Sequence, residues 1–389
     1  MIEKYYSGVI EQIYNRIGKE TRNIVMANYS NDFSIENLEV IRRYQSNEDN
    51  VFFAYSEFSY NTLVGAYEPF LDIICNMHRR FIGGSFDDFQ KECGVYYLHR
   101  QVLNSYYETG ECFREETVLL NEVAYEQRRM TMAIADMLKR LSEVRPLMIV
   151  INRFQMASKS SIETIKYLID NPCANIGIVL GVNAIVKGTD STVEVWDRIV
   201  ESLEDRSAIY YIGSAGPLKN NVKTTNDDEL YITMNFEQSI QEASNIMEFL
   251  DFEQARRGCR IIEHKLKFED AWIDEKSLRR FYMVYARTSV LLGEMSKAIE
   301  LTNEYKALIP ENDSEHYLSL YYFMKGTCYM YQGKLEKAGN SAKSAYDYAV
   351  LAEDDTLIFK AELLSVMIKM SGWYNIFFCV QDIPVSDEI

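Results

Sequence analysis

The sequence predicts an α/β domain built on a parallel sheet, followed by an all-α array of paired helices. Three observations carry that prediction. Residues 146–183 hold two short apolar runs, Leu147 to Ile151 and Ile176 to Gly181, separated by an amphipathic helix from Ser160 to Asp170. A parallel strand must be crossed over by a helix before its neighbour is laid down, and strands covered on both faces read as near-continuous apolar runs. Further short apolar runs at Arg22 to Ala27, Val51 to Tyr55 and Ala208 to Ile212 lie among segments of helical periodicity at residues 2–18, 35–44 and 115–141. From Phe236 onwards, small residues recur at fixed spacing on successive helical patterns. The Gly/Pro/Asn/Thr-rich stretch from Gly213 to Asp228 separates the two kinds of pattern, so the expected domains are 1–228 and 229–389.

Composition bounds what the chain can do. Its 389 residues suffice for two domains, and 47% hydrophobic with 13% aromatic content describes a folded, globular chain. The net charge of −17 is spread over both halves and leaves no basic stripe for a phosphate backbone, which argues against direct nucleic-acid contact. Seven cysteines without a C-x-x-C pair and four scattered histidines point to reduced thiols and no metal site. No apolar run approaches the roughly 20 residues of a membrane span, and the N-terminus lacks a signal-peptide pattern, so a cytoplasmic protein without membrane contact is expected. Neither H-E-x-x-H nor G-x-S-x-G occurs, and no catalytic residue is expected.

The segment after the third apolar run, with Gln155, Ala157, Ser160 and Ser161, resembles the Walker B region of the STAND class of P-loop NTPases, signalling ATPases related to the AAA+ group. Tyr67, Pro69 and Phe70 resemble the "Y-x-P-F" landmark of the same family. The resemblance implies a P-loop-like fold with Ile24 to Ala27 and Met148 to Ile151 on neighbouring strands. It also implies a phosphate-binding loop at Ala27 to Ser34, in which Ala27 and Asp32 stand for the two glycines, Phe33 for the lysine and Ser34 for the magnesium-binding hydroxyl. Asn152 and Arg153 stand where two carboxylates should hold Mg²⁺ and orient water. ATP and Mg²⁺ are thus the family's cofactors, and this chain has lost the residues that would bind them. These six residues are read as vestigial positions with negligible ATP hydrolysis.

The helical half resembles tetratricopeptide (TPR) repeats. Tyr322, Gly326 and Tyr329 with Ala338 and Ala345 form the sharpest pair; Tyr282, Ala286, Gly293 and Ala298 form the one before. Weaker copies pair Ala243 with Ala255 and Ser365 with Gly372. Such arrays follow the STAND domain in large LuxR-type transcription regulators. The expected function is a signalling or transcription-regulatory pseudo-NTPase whose array binds a protein, peptide or small-molecule signal, with Tyr285 and Tyr321 as groove residues. An active ATPase with a divergent site and a TPR-type adaptor are the alternatives. An array whose last apolar face is uncovered is expected to continue beyond Ile389 or to be covered by another chain.

Overall fold

In the computed structural model of the protein, the residues described are 2–29, 38–46, 50–59, 63–112, 122–183, 186–187, 193–212, 223–224, 235–268, 273–312 and 314–381. They fall into two compact units, Met1–Phe268 and Glu269–Ile389.

The first unit is organised by a five-stranded parallel sheet. In chain order its strands are β1 (Ile24–Tyr29), β2 (Phe52–Glu57), β3 (Leu147–Asn152), β4 (Ile176–Asn183) and β6 (Ile209–Ile212). Their order across the sheet is β2-β3-β4-β1-β6, and β5 (Val186–Lys187) pairs separately with β7 (Lys223–Thr224). One face of the sheet is closed by α1 (Ile2–Arg16), which lays Tyr6, Val9, Ile10 and Ile13 against Val25, Ala27, Val150 and Val179. Between β1 and β3 the chain forms α2 (Glu39–Ser46), α3 (Phe70–Met77), α4 (Phe86–Glu92), α5 (Tyr97–Thr109) and α6 (Val123–Val144). The crossover expected between residues 146 and 183 is present. β3 leads through a short 3₁₀ turn (Phe154–Met156) into α7 (Lys159–Asp170), whose first turn is capped by Ser158 Oγ accepting from Ser161 N. From α7 the chain enters β4, and α8 (Val193–Glu204) follows before β6. β1 and β3 are not neighbours, contrary to expectation. β4 pairs with both, so the two strand ends share an edge with one strand between them.

The first unit also extends past the boundary expected at residue 228. It takes in the hairpin of α9 (Phe236–Glu248) and α10 (Phe252–Phe268). The reason is a polar seam, buried at Asp251 and Gln254. Asp251 Oδ2 accepts from Ser160 N at 3.1 Å, at the start of α7, while its Oδ1 accepts from Gln254 N at 3.4 Å, at the start of α10. Gln254 Nε2 donates to Val64 O at 3.0 Å, Gln127 Nε2 to Leu250 O at 2.6 Å and Asn245 Nδ2 to Gly110 O at 2.9 Å. Buried polar atoms left without such partners would each cost about 1–3 kcal/mol, so the hairpin is held to the α/β layer by specific bonds as well as by apolar burial.

The second unit is helical: α11 (Glu275–Leu291), α12 (Met295–Ala307), α13 (Ser314–Tyr331), α14 (Leu335–Leu351) and α15 (Asp355–Gln381). Three of its four helix connections, α11–α12, α13–α14 and α14–α15, turn through one left-handed residue each, Gly293, Gly333 and Glu353, with φ of 78°, 73° and 54°. In each case the next residue's N–H reaches back to close the helix end: Glu294 N to Ser289 O at 2.8 Å, Lys334 N to Tyr329 O at 2.9 Å and Asp354 N to Ala349 O at 3.2 Å. Leu250, with φ 69°, makes the same turn between α9 and α10. The small residues Ala243 and Ala255, Ala286 and Ala298, and Gly326 and Ala338 flank these turns at one constant spacing and are buried. A Cβ on Gly326 would lie 3.3 Å from Ser341 Cβ and 3.4 Å from Ala338 O, which shows how closely α13 and α14 approach. The weak repeat copy that pairs Ser365 with Gly372 has no turn at Gly372, and α15 runs through it to Gln381. Among the described residues no helix is long and apolar enough to cross a membrane.

Candidate functional site

All five strands of the sheet run the same way, so their carboxyl ends share one edge, the place where open parallel sheets present ligand-binding groups. Tyr29, Glu57, Asn152, Asn183 and Ile212 end the strands there. Glu57 is the register partner of Asn152, and Tyr29 that of Asn183.

The edge is filled by the protein's own side chains. The Tyr29 hydroxyl donates to Asn152 Oδ1, a bond that passes over β4. Adjacent strands lie about 4.8 Å apart, so reaching the next strand but one requires a long side chain and a gap in the strand between. Gly181 is that gap. A Cβ at this position would come 2.5 Å from Tyr6 Oη and 2.8 Å from Asn152 Oδ1. Asn152 is fully buried, as are Tyr6 and Tyr29. The Tyr6 hydroxyl is held well above its ordinary pKa by burial first, and then by Tyr29, Tyr55 and Glu57 around it.

Arg153 follows in a left-handed conformation with φ 54°. That turn carries its guanidinium to Glu57, with Nη1 at 3.0 Å from Oε1, and lets Nη1 donate to Phe58 O at 3.4 Å. Tyr55 donates to the other oxygen of Glu57. The cation is therefore neutralised from within the sheet.

Of the vestigial positions, Ala27 lies inside β1, paired with Gly181 and Tyr210. It is a buried strand residue, and the loop expected to begin there starts no earlier than the end of β1 at Tyr29. Asp32, Phe33 and Ser34 lie outside the described residues. Asn152 and Arg153 are both brought to the edge. Tyr29 and Glu57 complete the site and were not expected from the sequence, because Glu57 becomes a neighbour of Asn152 only through the order of the sheet. The expected strand also ended at Tyr55, two residues short of it.

Asn152, Arg153 and Glu57 do not fit Mg²⁺. A hard divalent cation needs anionic oxygens; Asn152 offers a neutral one that already accepts from Tyr29, and the Glu57 carboxylate is taken by Arg153 and Tyr55.

A cavity of about 210 Å³ lies between α9 and the segment 65–72, with Tyr106 and Phe249 as aromatic walls. Three carboxyl groups line it. Glu242 is pushed up to about 7 by burial first and then by Glu68. Glu68 is raised by burial, an effect opposed by the Gly65 N–H and reinforced by Asp72. Asp72 accepts from the Tyr106 hydroxyl at 3.0 Å.

The cysteines and the groove tyrosines take their places as well. The six cysteines described are free thiols, and burial pushes Cys75 up to about 11 and Cys93 and Cys328 up to about 12, so these three carry no reactive thiolate near neutral pH. Tyr285 and Tyr321 are 3% and 2% exposed and are core residues of the second unit, which overturns their assignment to an open groove. Tyr282, Tyr322 and Tyr329, which the TPR-like pattern puts at packing positions between helices, are the half-buried ones. The inversion arises because α13 packs on α12 as well as on α14, so the face next to the Gly326 stripe is also covered; Lys306 of α12 sits over the Tyr321 ring at 5.2 Å. Compared with family models, with curated proteins and with solved structures, the chain matches none.

Proposed function

We propose that this chain is a signalling or transcription-regulatory protein in which a P-loop-like α/β domain acts as a scaffold without nucleotide turnover and a TPR-like array captures a protein or peptide partner. The observation that carries the reading is the self-filled carboxyl edge. The Tyr29–Asn152 bond and the Arg153–Glu57 pair occupy the strand ends at which a nucleotide-hydrolysing relative would hold metal and phosphate. Catalysis of phosphoryl transfer rests almost wholly on positioned charge, and here that charge is spent inside the protein. The constant spacing of small residues about the left-handed turns supports the TPR-like reading of the helices, since close approach of paired helices is what such repeats require.

The experiment is thermal unfolding with ATP, with and without Mg²⁺, beside a hydrolysis assay on the same preparation. The proposal expects no Mg²⁺-dependent rise in Tm and no turnover above a mock purification. Hydrolysis that is lost on replacing Ser34 would instead establish an ATPase with a divergent site.

A further inference from the structure

The helix α15 is apolar on two opposite faces. Leu357, Ala361, Leu364 and Ile368 are buried on the face turned to α13 and α14. Phe359, Leu363, Val366 and Met370 stand on the other, 60%, 40%, 50% and 55% exposed. A helix that packs on one side of a globular unit carries one such stripe; a second one calls for a second partner. The four exposed residues recur at alternating steps of four and three, the spacing of a coiled-coil seam.

Charge says what that partner is. Glu362 and Lys369 flank the seam on the same side, both are exposed, and neither makes an ion pair or hydrogen bond among the described residues. We propose that α15 pairs antiparallel with α15 of a second copy of this chain about a two-fold axis between Leu363 and Val366. That axis sets Leu363 against Val366 and Phe359 against Met370 of the second copy. In an antiparallel pair the flanks on the same side of the seam face each other, and the charged residues on that flank are Glu362 and Lys369. The contact is made twice by symmetry, each Glu362 facing the other copy's Lys369. A parallel pairing would set Glu362 beside Met367 and leave both charges without a complement. This proposal is independent of the nucleotide reading.

The test is sedimentation equilibrium of the full chain over a range of concentrations, on the wild type and four variants. The wild type is expected to dimerise reversibly. Glu362→Lys and Lys369→Glu each replace two attractive contacts by two repulsive ones and should weaken dimerisation on the order of tenfold. The double exchange, Glu362→Lys with Lys369→Glu, restores the complement and should recover the wild-type constant. Val366→Asp, in the middle of the seam, should leave a monomer. All the substituted positions are surface positions, and unchanged circular dichroism and Tm of the monomer will show that the fold is kept. A monomeric wild type at every concentration would overturn the proposal and assign the stripe to another helix. A dimer indifferent to the single exchanges, or one that the double exchange fails to rescue, would overturn it as well.

Discussion

Gly181 shows how one missing side chain shapes the carboxyl edge of the sheet. Because β4 lies between β1 and β3, the Tyr29 hydroxyl reaches Asn152 only over a position without a Cβ. Gly181→Ala should therefore destabilise the first unit by about 1–3 kcal/mol through overpacking against Tyr6 and Asn152, although alanine suits a strand better than glycine. Urea unfolding reads the change, and a variant as stable as wild type would show that the edge is looser than these distances imply. Glu242 gives a pH-dependent prediction. Its folded pKa of about 7 lies above the ordinary 4.5, so its contribution to stability is present in full below about 4.5 and is lost as pH rises through 7. Glu242→Gln should remove that slope between pH 5 and 7.5 and stabilise the protein at pH 8 by about 1–2 kcal/mol, a figure reduced for partial solvent screening. Thermal unfolding across that range checks both. Neither glycine nor glutamate stands out in the sequence, since one is defined by the bond that joins the strands on either side of it and the other by a carboxyl group far along the chain.

At the scale of elements, the β3–α7–β4 crossover was legible because its apolar runs and its helical period agree. The limits expected for it differ from those observed by one or two residues. The hairpins of the second unit were legible for a related reason. A left-handed turn favours glycine, and Gly293 and Gly333 announce it, with buried small residues at matched distances on either side. Where the turn is made by Leu250 or Glu353, the glycine signal is missing, and Gly372, paired with Ser365 as a weak repeat copy, lies inside a continuous helix. The attachment of α9 and α10 to the α/β layer was not legible, because Asp251 caps α10 locally and α7 from a distance. Asp251→Ala removes both caps and should lower the stability of the first unit by about 2–3 kcal/mol, with Asp251→Asn costing less. Calorimetry that found no change in the Ala variant would remove the polar seam as the reason the hairpin belongs to that unit.

For the whole molecule, the scaffold role predicts that Mg²⁺-ATP shifts neither Tm nor hydrolysis rate, which differential scanning fluorimetry and phosphate release will test together. The sequence by itself determined the two kinds of architecture, an α/β region with a parallel sheet and then a helical one, because hydrophobic period and turn chemistry are local and repeat within each element. It also determined that Asn152 and Arg153 stand at the end of a buried strand. Tertiary structure alone decided what those residues do. Strand order brings Tyr29 and Glu57 to them, and two residues of opposite charge or complementary hydrogen bonding neutralise each other only when the fold sets them side by side. It also decided which tyrosines are core, since a helix flanked on two sides buries two faces, and the count of neighbours is not written in its own period.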